Sequence, residues 1–158
     1  MDDKLLLAKT WFIKAENDLR NAELVLDADT NDIPYDTVCF HCQQVAEKYL
    51  KGLLVILDID FPKTHNIEVL LDLLEPHIPE IENYGHAVEL TPYAVESRYP
   101  DDFVPVYEKE ARDSLRIAQG IKALVLKMVV MLHPDWETLV NGVNVGSLLM
   151  MNNNHLSG

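Results

Sequence analysis

Four side chains able to do chemistry recur at helical intervals in one stretch of the sequence: His41, Gln44, Lys48 and Lys51. Offsets of three, seven and ten residues return to one side of an α-helix, so one polar face carries an imidazole, an amide and two ammonium groups. An imidazole exchanges protons near neutral pH, and lysines so placed can hold phosphate. The plainer account is that Glu47, Lys48 and Lys51 form solvated pairs while Gln43 and Gln44 bond across a bundle. Arg98 stands two residues after Glu96 and directly before Tyr99, with Asp101 and Asp102 close behind. A guanidinium beside an aromatic suits phosphate and base recognition, and an internal ion pair holding the loop accounts for it equally well. His65 follows Thr64 at a helix start, where it can cap or touch a neighbouring loop.

Several other chemistries are excluded. None of the six histidines has a glutamate three residues before it, so the Glu-x-x-His pairs of a di-iron bundle are missing. There is no His-Glu-x-x-His zinc helix and no glycine-rich phosphate loop. Cys39 and Cys42 have the spacing of half a zinc site, but no second pair follows, and two thiols sharing a helix face read as small buried groups. No serine or cysteine lies in a nucleophile motif. Neither a metal nor a cofactor is therefore expected.

The elements that must position these groups are helices. Asp2 and Asp3 can cap a first helix over Lys4 to Leu26, whose apolar positions Ala8, Phe12, Ala15, Leu19, Ala22 and Leu26 form one stripe widened by Trp11. A second runs from Tyr35 to Leu57 on Val38, Cys42, Val45, Tyr49, Leu53 and Ile56, with Gln43, Glu47 and Lys51 on its opposite side. Thr64 to Glu75 makes a short third helix capped by Thr64 or Asn66, burying Ile67, Leu70, Leu71 and Leu74. A fourth helical piece lies between Ile81 and Ser97, interrupted near Pro92. Tyr99, before a proline, is pushed into a loop. Pro105 opens a long last helix with the stripe Ala111, Leu115, Ala118, Ile121, Val125, Met128 and Leu132, stopped by Pro134. Gly52, Gly85, Gly120 and Gly142 are read as standing alone between helical stretches.

The sum is an all-α, antiparallel up-and-down bundle of four to five helices over residues 1–133, followed over 134–158 by a short helix near Trp136 to Val140 and a loose tail. The chain has 158 residues, 48% of them hydrophobic, which suffices for one real core. A net charge of −13 excludes nucleic-acid binding through bulk charge, so any such contact needs a local cluster of cations. Lys109, Arg112, Arg116 and Lys127 are one such stripe, diluted by Glu108, Glu110 and Asp113 into a charge-paired surface. No membrane segment or secretory leader is visible, and a reducing cytoplasm is the expected setting.

Four stretches taken in order resemble the HEPN family, the higher eukaryote and prokaryote nucleotide-binding domain. Trp11 to Leu19 resembles its opening helix, and Phe40-His41-Cys42-Gln43-Gln44-Val45-Ala46-Glu47-Lys48-Tyr49-Leu50-Lys51 its second, the most specific piece. Pro62 to Asn66 followed by Leu70-Leu71 resembles the third, and Ser97 to Asp101 the loop before the last helix. The resemblance covers residues 5 to 132. It implies a helical bundle that commonly forms a homodimer, and for small stand-alone members a pairing with a minimal nucleotidyltransferase as toxin and antitoxin. Many relatives are ribonucleases with an Arg followed by four to six residues and then His. None of Arg20, Arg98, Arg112 and Arg116 has a histidine at that distance.

Two functions compete on these grounds. One is a dimeric nucleotide- or RNA-binding module drawing on Arg98, Tyr99, His41, Gln44, Lys48 and Lys51. The other is a divergent metal-independent ribonuclease in which Arg98 meets His41 or His65 in space. A bare scaffold, with every one of these residues exposed and unclustered, is the third.

Overall fold

The computed structural model describes residues 3–94 and 104–136, and among these every regular element is a helix and no strand occurs. Helix α1 spans Asp3–Leu26, α2 Tyr35–Ile56, α3 Ile67–Leu74 and α4 Glu108–Leu132, with a 3-10 helix over Pro79–Ala94 between the last two. The stripe of α1 packs as its period requires: Ala8, Phe12, Ala15, Leu19, Ala22 and Leu26 are all buried. Residues 41 and 48 of α2 meet Asp18 of α1 while Lys51 meets Trp11, so these two helices run antiparallel. Cys39 of α2 meets Ser114 of α4, and Tyr49 and Lys122 converge on Glu16, so α4 runs alongside α2 in the same direction. The up-and-down order is kept because α3 and the 3-10 helix make the return pass.

Several boundaries differ from the pattern of the sequence. The third helix starts at Ile67, because the Asn66 side chain accepts the Glu68 N–H and ends the extended chain there. Pro79–Ala94 winds as a 3-10 helix with Pro92 inside it; a proline cannot supply the N–H of an α-helical turn. Pro105 does not open the last helix, which begins at Glu108 after Tyr107 in extended geometry. Proline's fixed φ fits extended chain as well as helix, and Glu108 and Glu110 favour the positive end of the helix dipole in the first turn. Asp2, the segment 95–97 and the tail past Trp136 lie outside the described residues. Trp136 itself is buried, its ring edge-on to Phe12 with centroids 5.9 Å apart.

The larger correction concerns α2. Gln43, Glu47 and Lys51, expected on a side opposite to the core, are buried. Helix α2 is enclosed by α1, α3, the 3-10 helix and α4, so its polar residues cannot all reach water and must find partners instead. Gly52 and Gly120 likewise fall inside α2 and α4 rather than between helices.

A buried polar knot ties the bundle together. Glu16 of α1 accepts from the Tyr49 hydroxyl at 2.6 Å and from Lys122 Nζ at 2.7 Å, all three residues being buried. Burial, with the Glu16 charge beside it, raises the Tyr49 pKa well above the ordinary phenol range, so the hydroxyl stays a donor. Lys9, also in α1, is buried with no hydrogen-bond partner for its amine, and burial lowers its pKa.

Candidate functional site

The polar face of α2 lies along its seam with α1, where packing of the α1 stripe leaves Asp18 and Trp11 at the edge of the contact. Asp18 stands between two groups of α2. One carboxylate oxygen, Oδ1, lies 2.8 Å from His41 Nδ1, and Oδ2 accepts from Lys48 Nζ. Asp18 keeps 13% of its side-chain surface in solvent, Lys48 20% and His41 27%, so the trio is half-buried but reachable. Gln44 Nε2 donates to Gln43 Oε1 at 2.6 Å.

A second cluster adjoins it. Glu47, buried, accepts from Gln43 Nε2 at 3.2 Å, lies 2.8 Å from His65 Nδ1 and pairs with Lys51 at 3.3 Å. Gln43 also donates to the His65 carbonyl, which pins the start of the α3 approach to α2. The His65 ring nonetheless keeps 65% of its surface exposed. Lys51 Nζ lies over the rings of Trp11 and Phe61, 5.5 and 5.9 Å from their centroids, and those rings meet edge to face. An ammonium sandwiched in this way is an internal cation, with little left for a ligand.

Of the sequence-derived candidates, the structure brings His41, Gln44, Lys48, Lys51 and His65 onto one arc. At a rise of about 1.5 Å per residue, His41 to Lys51 extends about 15 Å along α2. Arg98 and Tyr99 lie outside the described residues, and so does their expected meeting with this face. The plainer account is half right: the lysines are paired, but Glu47 and Lys51 are buried rather than solvated. Sequence reasoning pairs Glu47 with Lys51 but does not find Asp18, Trp11 and Phe61 as the partners of this face. Asp18 is 23 residues from His41 and 30 from Lys48, a separation at which no helical spacing gives warning.

The thiols and the basic stripe offer less. Burial raises the Cys39 pKa, opposed by a hydrogen bond from Ser114, and pushes Cys42 up to about 12. Tyr93, whose hydroxyl donates to Glu110 at 3.2 Å, is also pushed up to about 12, chiefly by burial. Both thiols are expected to resist iodoacetamide at neutral pH in the folded chain and to react fully in denaturant, as mass spectrometry would show. No cluster of three metal-ligating side chains occurs among the described residues. Along α4, Lys109 and Arg116 pair with Asp113, Arg112 with Glu108, and Lys127 with Glu80, so the stripe is a neutralised surface. No helix among the described residues is long and apolar enough to cross a membrane.

Comparison with known proteins agrees with this architecture. A solved structure, the crystal structure of an archaeal HEPN homologue, superposes with a TM-score of 0.58 at 28% identity, covering 77% of this chain and 97% of that one. No curated protein matches the sequence. The family model for the HEPN domain matches residues 8–128, a span that takes in most of α1, all of α2, α3 and the 3-10 helix and most of α4 together with the whole Asp18–His41–Lys48 arc, and the chain therefore belongs to the HEPN domain family.

Proposed function

We propose that this protein is a nucleotide- or RNA-associated binding module that works as a homodimer, with the ligand lying along the seam of α1 and α2. The observation that carries the reading is the pairing of His41 and Lys48 with Asp18, half-buried and reachable, with Gln44 between them on the same side of α2. Within a chain of net charge −13, bulk charge does not hold a phosphate-bearing ligand, so the contact must be local, at the polar groups of this face that stay reachable. On this reading Arg98 and Tyr99 are assigned the phosphate and base contacts of that ligand. A minimal nucleotidyltransferase is the proposed protein partner, in a toxin–antitoxin type of pair, because small stand-alone proteins of this kind are often coupled to one. The expected setting is the cytoplasm.

The absence of a histidine five to seven residues after any arginine favours binding over cleavage. A divergent ribonuclease remains the second reading, supported by the exposed His65 ring held at Nδ1 by buried Glu47. On that reading Arg98 acts with His41 or His65, and purified protein would degrade total RNA in a manner abolished by Arg98→Ala.

The binding reading is tested with a fluorescently labelled short oligoadenylate RNA. Lys48→Met is expected to weaken its affinity about fivefold to tenfold, the loss of one charge-assisted contact, with the melting temperature little changed. Anisotropy titrations showing no association of the wild-type protein would remove the proposal, and an unchanged affinity in Lys48→Met would move the site elsewhere.

A further inference from the structure

Resting on the binding reading above, the geometry points to a discrimination between ribose and deoxyribose, set by Asp18 through His41. An ionised carboxylate only accepts hydrogen bonds. Asp18 Oδ1 lies 2.8 Å from His41 Nδ1, so that nitrogen carries the proton of the contact. In a neutral imidazole the other nitrogen, Nε2, is then a bare acceptor. Phe40, whose ring meets the His41 ring edge-on with centroids 5.4 Å apart, walls one side and restrains rotation of the imidazole.

The donors and acceptors left for a ligand are therefore unequal. Lys48 already gives one of its three N–H groups to Asp18, Lys51 is turned to Glu47 and two aromatic rings, and Gln44 directs its amide nitrogen to Gln43. Among these groups His41 Nε2, turned away from Asp18 on a side chain with 27% of its surface exposed, is an acceptor that asks for a hydrogen, as is the Gln44 amide oxygen beside it. A 2′-hydroxyl supplies that hydrogen, and a deoxyribose has none there. Asp18 is thus a positioning residue: it touches no ligand, but it decides which nitrogen of His41 faces outward. Asparagine in its place would present an N–H to Nδ1 and move the ring proton to Nε2, turning the acceptor into a donor.

The test compares oligoadenylate RNA with DNA of the same sequence and length, at about pH 8, above the ordinary imidazole range. The RNA is expected to bind about fivefold to tenfold tighter, the worth of one net hydrogen bond at a half-exposed site. Asp18→Asn should bring the two affinities together, and so should His41→Leu, which leaves Asp18 and Lys48 paired should the first variant fold poorly. Nitrogen-15 spectra of the unliganded proteins should show His41 protonated at Nδ1 in the wild type and at Nε2 in Asp18→Asn, a change of tautomer that a loss of stability alone would not produce. Equal affinity of wild type for RNA and DNA overturns the inference and leaves the binding reading standing. Failure of both oligonucleotides to bind overturns the two together, and a proton on Nε2 in the wild type overturns the inference whatever binds.

Discussion

Replacing Glu16 with leucine is expected to lower the unfolding free energy by about 3–5 kcal/mol, the cost of leaving one partner of a buried ion pair alone. Lys122 would keep its ammonium in the core with its carboxylate gone, and the Tyr49 hydroxyl would lose its acceptor. Three helices meet at this point, so the loss falls on the junction of α1, α2 and α4 at once. For a chain of this length each kcal/mol moves the melting temperature by about 2–4 °C, which makes a fall of at least about 6 °C the expected reading in calorimetry. The pair itself is not the source of stability. Well-packed apolar residues often replace a buried ion pair at no net cost, so Glu16→Leu combined with Lys122→Met should recover most of the loss. A double variant as unstable as the sum of its two singles would show that the charges contribute independently and that Glu16 and Lys122 do not act as a pair.

The position of Glu16 also shows what was legible in the sequence. It lies four residues after Phe12 and three before Leu19, squarely within the apolar stripe of α1, and Lys122 follows Ile121 within the stripe of α4. A charged residue inside an apolar stripe is a signal that a partner must cross to meet it, and the two positions mark each other. The bundle itself was readable because every apolar stripe keeps the helical period without a break, and stripes of that kind can be satisfied only by packing helix on helix. Burial of Gln43, Glu47 and Lys51 was not readable, because polar residues at four-residue intervals look the same whether water or another helix covers them. Only the enclosure of α2 by its four neighbours decides that, and enclosure is a property of the assembled fold.

The site divides in the same way. His41, Gln44, Lys48 and Lys51 could be found because local helical geometry alone puts them on one face. What each of them does depends on Asp18, Trp11 and Phe61, which reach the face through tertiary packing, and on Glu47, one turn before Lys51 on α2 itself. Two carboxylates divide the face between them: Asp18 takes His41 and Lys48, and Glu47 takes Lys51 and His65. The cations read from sequence as free phosphate binders are therefore mostly neutralised, and the half-exposed His41 is left as the most available group. That shift from charge to hydrogen bonding is why the ligand chemistry inferred from the structure rests on a hydroxyl as much as on phosphate.

The seam that carries this site depends on the absence of a side chain at Gly52. A Cβ built there would meet Phe12 Cδ1 at 2.8 Å, closer than such atoms approach in proteins, with Cζ at 3.0 Å. Phe12 has nowhere to go, since it is buried with Tyr49 stacked at 5.5 Å and Trp136 edge-on at 5.9 Å. Two effects oppose each other when Gly52 is changed. Alanine is favoured over glycine in a helix interior by about 1 kcal/mol, whereas overpacking a full core costs about 1–3 kcal/mol. With the ring fixed on both sides the steric effect wins, and Gly52→Ala should destabilise modestly. Gly52→Val adds two methyl groups and gains less in propensity, so a loss of about 3 kcal/mol is expected from urea unfolding. Phe12→Leu, which shortens the obstructing side chain, should rescue Gly52→Ala and leave the double variant more stable than Phe12→Leu alone. Because α1 and α2 must part to admit the valine, Asp18 would also withdraw from His41 and Lys48, and RNA affinity should fall along with stability. A Gly52→Val protein that unfolds at the wild-type urea concentration would mean that the helices are not in the close contact on which the site depends.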